Sequence, residues 1–234
     1  MSPVGPADAR ETGRAVRAHE RVWSGPICAV DDEELVLAEG QEPVRRQTVV
    51  HHDAVSIVAL REGPDSSRAD GAAEILMVRQ YRHPVRMNLW EVPAGLLDID
   101  GEDPLVAAQR ELAEEADLQA ETWNALTDYF SSPGATSEAG RVYLARNLSE
   151  LPAEERSERT DEEAEMTYRW VPLADAVQLV LGGKVHNALA IQAVLATYAA
   201  AQNNFEGLRP AEGGWEFHPY MGQRREKPEN FRNP

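Results

Sequence analysis

Three glutamates fall close together on one predicted helical segment, where their carboxylates could bind a metal ion. With about 3.6 residues per turn, each residue of an α-helix advances roughly 100° around the axis, which brings Glu111, Glu114 and Glu115 into one narrow sector. Such like-charged neighbours destabilise an isolated helix by roughly 0.2–0.5 kcal/mol per pair. Hard divalent cations take oxygen ligands, so a metal site is one explanation. A solvated acidic surface is the other, and charge alone favours it.

An apolar sector of the same segment predicts how the helix is anchored. Its residues are Leu105, Ala108, Leu112 and Ala116. They recur at the spacing of one helical face, so we expect them to pack against the protein core. The acidic sector lies next to this face and would be presented by a firmly held helix.

The acidic cluster belongs to a longer pattern of spaced residues. Its positions are Gly95, Glu102, Arg110, Glu111, Leu112, Glu114, Glu115 and Leu118. This pattern resembles the Nudix box, the signature of hydrolases that split a nucleoside diphosphate linked to another group. Two departures concern the flanking loops, since six residues instead of five separate Gly95 from Glu102, and Asp117 replaces a glycine after the helix. Asp tolerates the left-handed conformation expected there better than most other residues.

The resemblance implies a metal-dependent enzyme. It assigns Glu111 and Glu115 to Mg²⁺, with Mn²⁺ as an alternative, and makes Glu114 a third ligand or the holder of a metal-bound water. In the family a backbone carbonyl just before the box glycine also coordinates metal, and here that residue is Ala94. Glu102 is expected to be structural, either pairing with Arg110 or capping the helix.

The resemblance also implies a catalytic base outside the box. In the ADP-ribose pyrophosphatase branch, a glutamate in a later loop acts on the attacking water. The corresponding loop here is residues 159–165, RTDEEAE, directly before a predicted strand that starts at Met166. Counting back from Met166 selects Glu162, and a slip of one residue selects Glu163. Without the resemblance, this loop would be interpreted as exposed and acidic only.

Further segments resemble the same branch and indicate substrate contacts. They are Gln80-Tyr81-Arg82, the run from Leu89 to Gly95, and Ser131-Ser132-Pro133-Gly134. Arg82 could clamp a phosphate with two donors. Glu91 and Glu138 could hold ribose hydroxyls. Arg46 and Trp23 are weaker candidates for phosphate and adenine contacts, reached from a second subunit. Taken singly, each of these residues could also be an ordinary surface or packed side chain.

Together these features predict hydrolysis of ADP-ribose to AMP and ribose 5-phosphate by a homodimer. One rival is a Nudix hydrolase of another nucleoside diphosphate sugar or of an oxidised nucleotide. A second rival is a non-catalytic Nudix domain that senses a nucleotide. Retention of all three box glutamates argues against the sensor.

Composition limits the partners and the compartment. The formal charge of −17 argues against nucleic acid or an anionic membrane as a partner. The chain has one cysteine, Cys28, which excludes an intrachain disulfide and fits a reducing cytoplasm. No leader peptide is recognisable, and the apolar run at 188–201 is too short to span a bilayer.

The order of apolar and polar stretches predicts an α/β protein. Residues 1–18 are expected to be flexible, and residues 19–50 to form a small antiparallel β element that serves dimerisation in the resembled branch. Residues 51–201 should form the Nudix hydrolase domain, an α/β/α sandwich with a mixed sheet. Residues 202–234 are rich in Gly, Pro, Asn and charge, so we expect a disordered tail.

Overall fold

The computed structural model of the chain describes residues 5–9, 11, 13–63, 73–99, 101–156 and 166–215. The chain divides into two compact units. The first unit comprises Met1–His52, Ser132–Glu138 and Trp215–Pro234, and the second comprises Asp53–Ser131 and Ala139–Gly214. Each unit contains one β-sheet.

The sheet of the first unit is an antiparallel meander. Its strands are β1 (Val16–Ser24), β2 (Cys28–Leu35) and β3 (Val44–His51), in that spatial order. Oppositely charged side chains face each other across the strands, and Arg21 Nε donates to Asp31 Oδ1 at 2.8 Å. Such cross-strand pairs stabilise a sheet that has little apolar core of its own.

The start of β1 corrects one prediction. Residues up to 18 were expected to be flexible, but Val16 pairs with Leu35 and Ala18 pairs with Glu34. The polar composition of this segment concealed the strand, because its order comes from backbone pairing with β2 and not from burial of its side chains.

The sheet of the second unit has eight strands on its main path and in two short branches. They are β4 (Ala54–Glu62), β5 (Ala73–Arg82), β6 (Met87–Glu91), β7 (Ala94–Leu96), β8 (Leu118–Phe130), β9 (Ala139–Glu150), β10 (Thr167–Pro172) and β11 (Arg209–Pro210). The main order is β10-β5-β4-β9-β8-β11, with β6 paired to β5 and β7 paired to β4. The pair β4–β9 is parallel and the other described pairs are antiparallel, so the sheet is mixed.

Helices cover both faces of this sheet. They are α1 (Pro104–Ala116), α2 (Leu173–Leu181) and α3 (Ala188–Ala201). Along β4, Val55 and Ile57 pack in one buried cluster with Leu112 of α1. The alternate residue Val58 packs in another cluster with residues of α2 and α3, such as Val194. Because successive strand residues point to opposite faces, the arrangement confirms the predicted α/β/α sandwich.

The segment after α3 corrects the predicted tail. Residues 202–215 form turns and the short strand β11, which pairs with β8. The buried Arg141 donates to the carbonyl of Gly213 at 2.8 Å. Local composition predicted disorder, but the partners of this segment are distant in sequence. Residues 216–234 lie outside the described residues.

Candidate active site

Helix α1 is bounded by polar caps that fix where its acidic face begins and ends. Asp103 accepts a hydrogen bond from the Leu105 N–H at 2.8 Å, and Pro104 occupies the first turn, which is a favourable helix start. At the other end Asp117 adopts a left-handed conformation with φ 55°. Asp117 therefore takes the conformation expected of the family glycine. The N-cap signal of Asp103 was readable from the sequence and had been missed.

Arg110 forms hydrogen bonds with three carboxylates of the box. Its Nε and Nη2 donate to the two oxygens of Glu102 at 3.0 and 3.1 Å, which confirms the predicted structural pairing. Its Nη1 donates to Glu111 at 2.7 Å and to Glu114 at 3.0 Å. The hydrogen bonds with Glu102 are the largest influence that raises the pKa of Arg110, ahead of the opposing effect of burial. The guanidinium therefore remains a fixed positive charge among acidic groups.

Glu115 faces the protein interior on the same helix. Glu115 is only 5% exposed, and its Oε2 accepts a hydrogen bond from the Ala94 N–H at 3.1 Å. Ala94 belongs to β7, which pairs with β4. The contact therefore joins α1 to the sheet and brings the predicted ligands Glu115 and Ala94 together.

Gly95 leaves room for the carboxylate of Glu111. A Cβ atom at Gly95 would lie 2.0 Å from Cδ and 2.1 Å from Oε1 of Glu111. No side chain can be added there unless Glu111 moves. The first residue of the box pattern is thus a glycine because the helix presses a predicted metal ligand against the backbone of β7.

The donor set suits a hard divalent cation. Glu111, Glu114, Glu115 and the Ala94 carbonyl offer only oxygen atoms, the ligands that Mg²⁺ and Mn²⁺ prefer. Across the described part of the chain, no three His, Cys, Asp or Glu side chains are already gathered around one point. Arg110 holds Glu111 and Glu114 at this position instead. The residues fit a metal site by chemistry and by proximity along α1 and β7.

Arg82 and Glu91 lie together, but they bind each other. Arg82 Nε and Nη2 donate to the two oxygens of Glu91 at 3.0 and 2.8 Å. Gln80 adds a longer hydrogen bond to Glu91 at 3.3 Å. Glu91 is 1% exposed, whereas the arginine is partly exposed. Glu91 therefore orients Arg82, and its predicted ribose contact stays a prediction. No local pattern in the sequence indicates this contact of Gln80, because it depends on the β5–β6 hairpin.

The remaining predicted substrate residues belong to the first unit. Trp23 is 52% exposed on β1, opposite Val30 of β2. Arg46 is exposed on β3. The backbone N–H of Glu138 donates to Thr136 Oγ1 at 3.2 Å. Their predicted contacts with substrate remain predictions.

The two predicted catalytic residues have no place in the described structure. Glu162 and Glu163 belong to residues 157–165, which lie outside the described residues. The strand β10 that follows them is described and starts at Thr167. The assignment of a base to this loop therefore remains a prediction.

The sequence is similar to proteins of known family. The model of the NUDIX domain matches residues 50–192. An ADP-ribose pyrophosphatase of Mycobacterium tuberculosis is 42% identical over 200 residues, covering 86% of this chain and 90% of that protein. An ADP-ribose pyrophosphatase of Bacillus subtilis is 33% identical over 177 residues, covering 76% and 88%.

A solved structure shows the same fold. The crystal structure of an ADP compounds hydrolase superimposes with a TM-score of 0.66, covering 84% of this chain and 98% of that one at 19% sequence identity. At this identity the likeness concerns the fold alone. The family match, the two relatives and the box geometry agree with one another. The chain therefore belongs to the Nudix family and is a Nudix pyrophosphohydrolase.

Proposed function

We propose that the chain hydrolyses ADP-ribose to AMP and ribose 5-phosphate. The observation that carries the proposal is the joint placement of Glu111 against Gly95 and of Glu115 on the Ala94 amide. It gives the acidic face of α1 a defined geometry beside β7, as a diphosphate-splitting site requires. The choice of ADP-ribose rests on the two relatives, both named ADP-ribose pyrophosphatase. The similarity covers 90% and 88% of their lengths.

Glu111 and Glu115 are the proposed holders of Mg²⁺, with Glu114 and the Ala94 carbonyl as further oxygen donors. When bound, a divalent cation neutralises phosphate oxygens and helps to orient the attacking water. Mn²⁺ is the alternative, because the donor set is equally suited to it. Arg110 keeps the helix face in place through Glu102.

In the proposed reaction, Arg82 binds the diphosphate, and the loop of residues 159–165 supplies the group that takes up a proton. Arg82, oriented by Glu91, donates to oxygens of the diphosphate. Glu162, or Glu163 beside it, takes the proton of the water that attacks phosphorus. The new P–O bond forms as the bridging P–O bond breaks, and the bridging oxygen leaves with the other phosphate.

The first unit supplies the proposed dimer contact and the remaining substrate residues. Its strand β1 is exposed along its whole length and carries the apolar side chains Val22 and Trp23. An exposed apolar strand at the edge of a sheet favours pairing with another chain. We place Trp23, Arg46 and Glu138 in adenine, phosphate and ribose recognition within such a homodimer. The acidic charge and single cysteine support a cytoplasmic enzyme that does not bind nucleic acid or membrane. No helix in the described ranges reaches the length and apolarity that a bilayer crossing needs.

A substrate panel tests the proposal. Phosphate-coupled turnover would be measured for ADP-ribose, ADP-glucose, GDP-mannose, diadenosine polyphosphates and NADH, each with and without Mg²⁺. We expect ADP-ribose to exceed the others clearly and only with metal. A flat profile would indicate a general hydrolase of nucleoside diphosphate sugars. Absence of turnover on every substrate would favour a nucleotide sensor.

A further inference from the structure

A cavity of about 750 Å³ lies within the second unit, away from α1. Leu60 and Leu173 line it, and both belong to the buried cluster beneath α2 and α3. The box carboxylates project from α1, which covers the opposite face of the sheet. The cavity is therefore separate from the site described above. Its volume falls in the range of roughly 300–1,000 Å³ that is typical of small-molecule sites.

Arg146 contributes a positively charged side chain to the lining of this cavity. Its Nη2 donates to Asn124 Oδ1 at 3.0 Å, and its guanidinium carbon lies 4.8 Å from the centre of the Phe205 ring. Within the described ranges its buried Nε has no acceptor, and Arg146 forms no ion pair with a carboxylate. By contrast Arg61, on the same wall, is paired with Glu74 at 2.7 Å. Among the described residues, Arg146 thus has no carboxylate partner, and its Nε is enclosed in the protein without an acceptor.

The turn after α3 holds the aromatic ring against Arg146. The Phe205 N–H donates to the carbonyl of Ala200 at 2.9 Å. Asn204 and Phe205 have φ of 50° and 60°, and a left-handed conformation is unusual for a bulky residue such as Phe205. Because the Phe205 ring covers one face of the guanidinium, a ligand would bind Arg146 through N–H groups in the plane of the guanidinium.

Apart from the paired Arg61 and the exposed carboxylate residue Glu62, the rest of the polar lining is uncharged and amide-rich. Gln202 and Asn204 are carboxamide residues of this lining, and Tyr198 is a phenol. Asn147 Nδ2 donates to Thr122 Oγ1 at 3.0 Å, which leaves its carbonyl oxygen and one N–H for a ligand. Sugar hydroxyls also donate and accept, so they match such groups better than an apolar ligand does. Guanidinium groups bind phosphate through paired N–H donors. The cavity therefore offers a guanidinium that suits a phosphate and carboxamides that suit sugar hydroxyls.

We propose that this cavity binds a phosphorylated sugar, with its phosphate on Arg146 and its hydroxyls on Asn147, Gln202 and Asn204. The site is independent of the hydrolytic reaction and of the box carboxylates. Its occupant would contact the end of α3 and the end of β9. Glucose 6-phosphate is a suitable test compound, because it is neither the substrate nor a product of the proposed hydrolysis.

Residue-resolved NMR of the full chain tests the proposal. Glucose 6-phosphate should produce saturable shifts in the backbone amides of Asn147, Asn204 and Phe205, and none at Gly95. Inorganic phosphate should bind at least about tenfold more weakly, and glucose should not bind. Absence of saturable shifts at these amides would overturn the site. Equal affinity for inorganic phosphate would overturn its assignment to a sugar.

Variants of the arginine provide the second arm. Arg146→Ala should weaken binding of glucose 6-phosphate at least about tenfold, and Arg146→Lys should retain part of the affinity because the charge remains. Arg156→Ala removes an arginine outside this cavity and should leave the affinity unchanged. If Arg146→Ala is folded and binds as tightly as the wild type, the proposal fails. If that variant does not fold, the shift map and Arg146→Lys decide.

Discussion

At the scale of single residues, Arg110 explains how three glutamates coexist on one helix. Its hydrogen bonds reach Glu102, Glu111 and Glu114, so the cost of like charges on α1 is offset within the helix itself. Glu115 is stabilised differently, because its buried carboxylate accepts a hydrogen bond from the Ala94 N–H. The acidic face is therefore ordered by Arg110 and Ala94, and its carboxylates would exchange these partners to converge on a metal ion.

Gly95→Ala tests the close approach between β7 and Glu111. The new Cβ would lie 2.0 Å from Glu111 Cδ, so the carboxylate must move or the strand must shift. We expect turnover to fall at least about tenfold, because catalytic groups must be held within about 0.5 Å of their working positions. Steady-state kinetics at several Mg²⁺ concentrations would measure it. Gly214→Ala is the matched control, since a Cβ there meets nothing within 4 Å. Equal kinetics for the two variants would contradict the prediction.

Glu115→Gln tests the metal assignment. The amide oxygen of Gln can still accept from Ala94 N–H, so the fold should persist while one anionic ligand is lost. We expect kcat to fall more than about 100-fold, beyond the roughly 10–100-fold cost of losing an outer-shell partner. Thermal melting would confirm folding, and Glu121→Gln on the exposed side of β8 is the control. Near-normal turnover of a folded Glu115→Gln protein would remove Glu115 from the metal site.

The residue-level predictions succeeded where local spacing determines the contact. The pairing of Glu102 with Arg110 and the left-handed Asp117 follow from positions on one helix and directly beside its two ends. The pairing of Arg82 with Glu91 could not be predicted, because it depends on the register of the β5–β6 hairpin. Burial of Glu91 likewise depends on packing that no local pattern reveals.

At the scale of elements, the long strand β8 shows why sequence patterns fall short. It spans Leu118–Phe130, yet its side chains are mostly partly buried, so it lacks a clear apolar alternation. Helix α2 shows a clear apolar periodicity, whereas α3 is apolar around most of its circumference and is marked by its composition instead. β11 was missed because its partner is the distant β8 and because its two residues carry no pattern.

A partly buried ion-pair network joins the strands β8, β9 and β11. Asp128 on β8 accepts from Arg141 on β9 at 2.7 Å and from Arg209 on β11 at 2.6 Å. Burial by itself raises the pKa of Asp128, but hydrogen bonds from the two arginines outweigh it and hold that pKa below its ordinary value. Arg141 is only 2% exposed and also donates to Gly213, so the network fixes the segment after α3.

Asp128→Asn should therefore destabilise the chain in a pH-dependent manner. A folded-state pKa below the unfolded value of about 3.9 means that the stabilisation is fully present above that pH and is lost as pH falls through the folded-state pKa. We expect a loss of about 3 kcal/mol in the free energy of unfolding at pH 7, because Arg141 would remain buried without its anion. Urea unfolding of both proteins would measure the loss.

The pH series supplies the internal check on this prediction. The difference between wild type and Asp128→Asn should stay constant from pH 7 to about pH 5 and shrink below about pH 4. Glu212→Gln, an exposed change near the same segment, should show little effect at any pH. A difference that persists undiminished into acid would mean that packing, and not the charge of Asp128, accounts for the loss.

At the scale of the whole molecule, net charge and substrate charge have the same sign. The chain carries −17, and ADP-ribose is also an anion, so long-range electrostatics oppose their encounter. The local positive charge of Arg82 and of the proposed metal ions must reverse this field at short range. Binding of substrate would thus depend on a few groups in the second unit, among them Arg82, which the buried Glu91 orients.

Dimerisation through the first unit is the prediction that belongs to the whole molecule. β1 exposes Val22 at 50%, and the described residues cover its free edge with no other strand. Light scattering after size exclusion should give twice the 25.9 kDa of one chain. Val22→Glu should shift the mass toward one chain, because a buried unpaired carboxylate is costly. Val106→Glu, on α1 and 51% exposed, is the matched control and should stay dimeric. A monomeric wild type would exclude the homodimer, and a dimeric Val22→Glu protein would move the interface away from this strand.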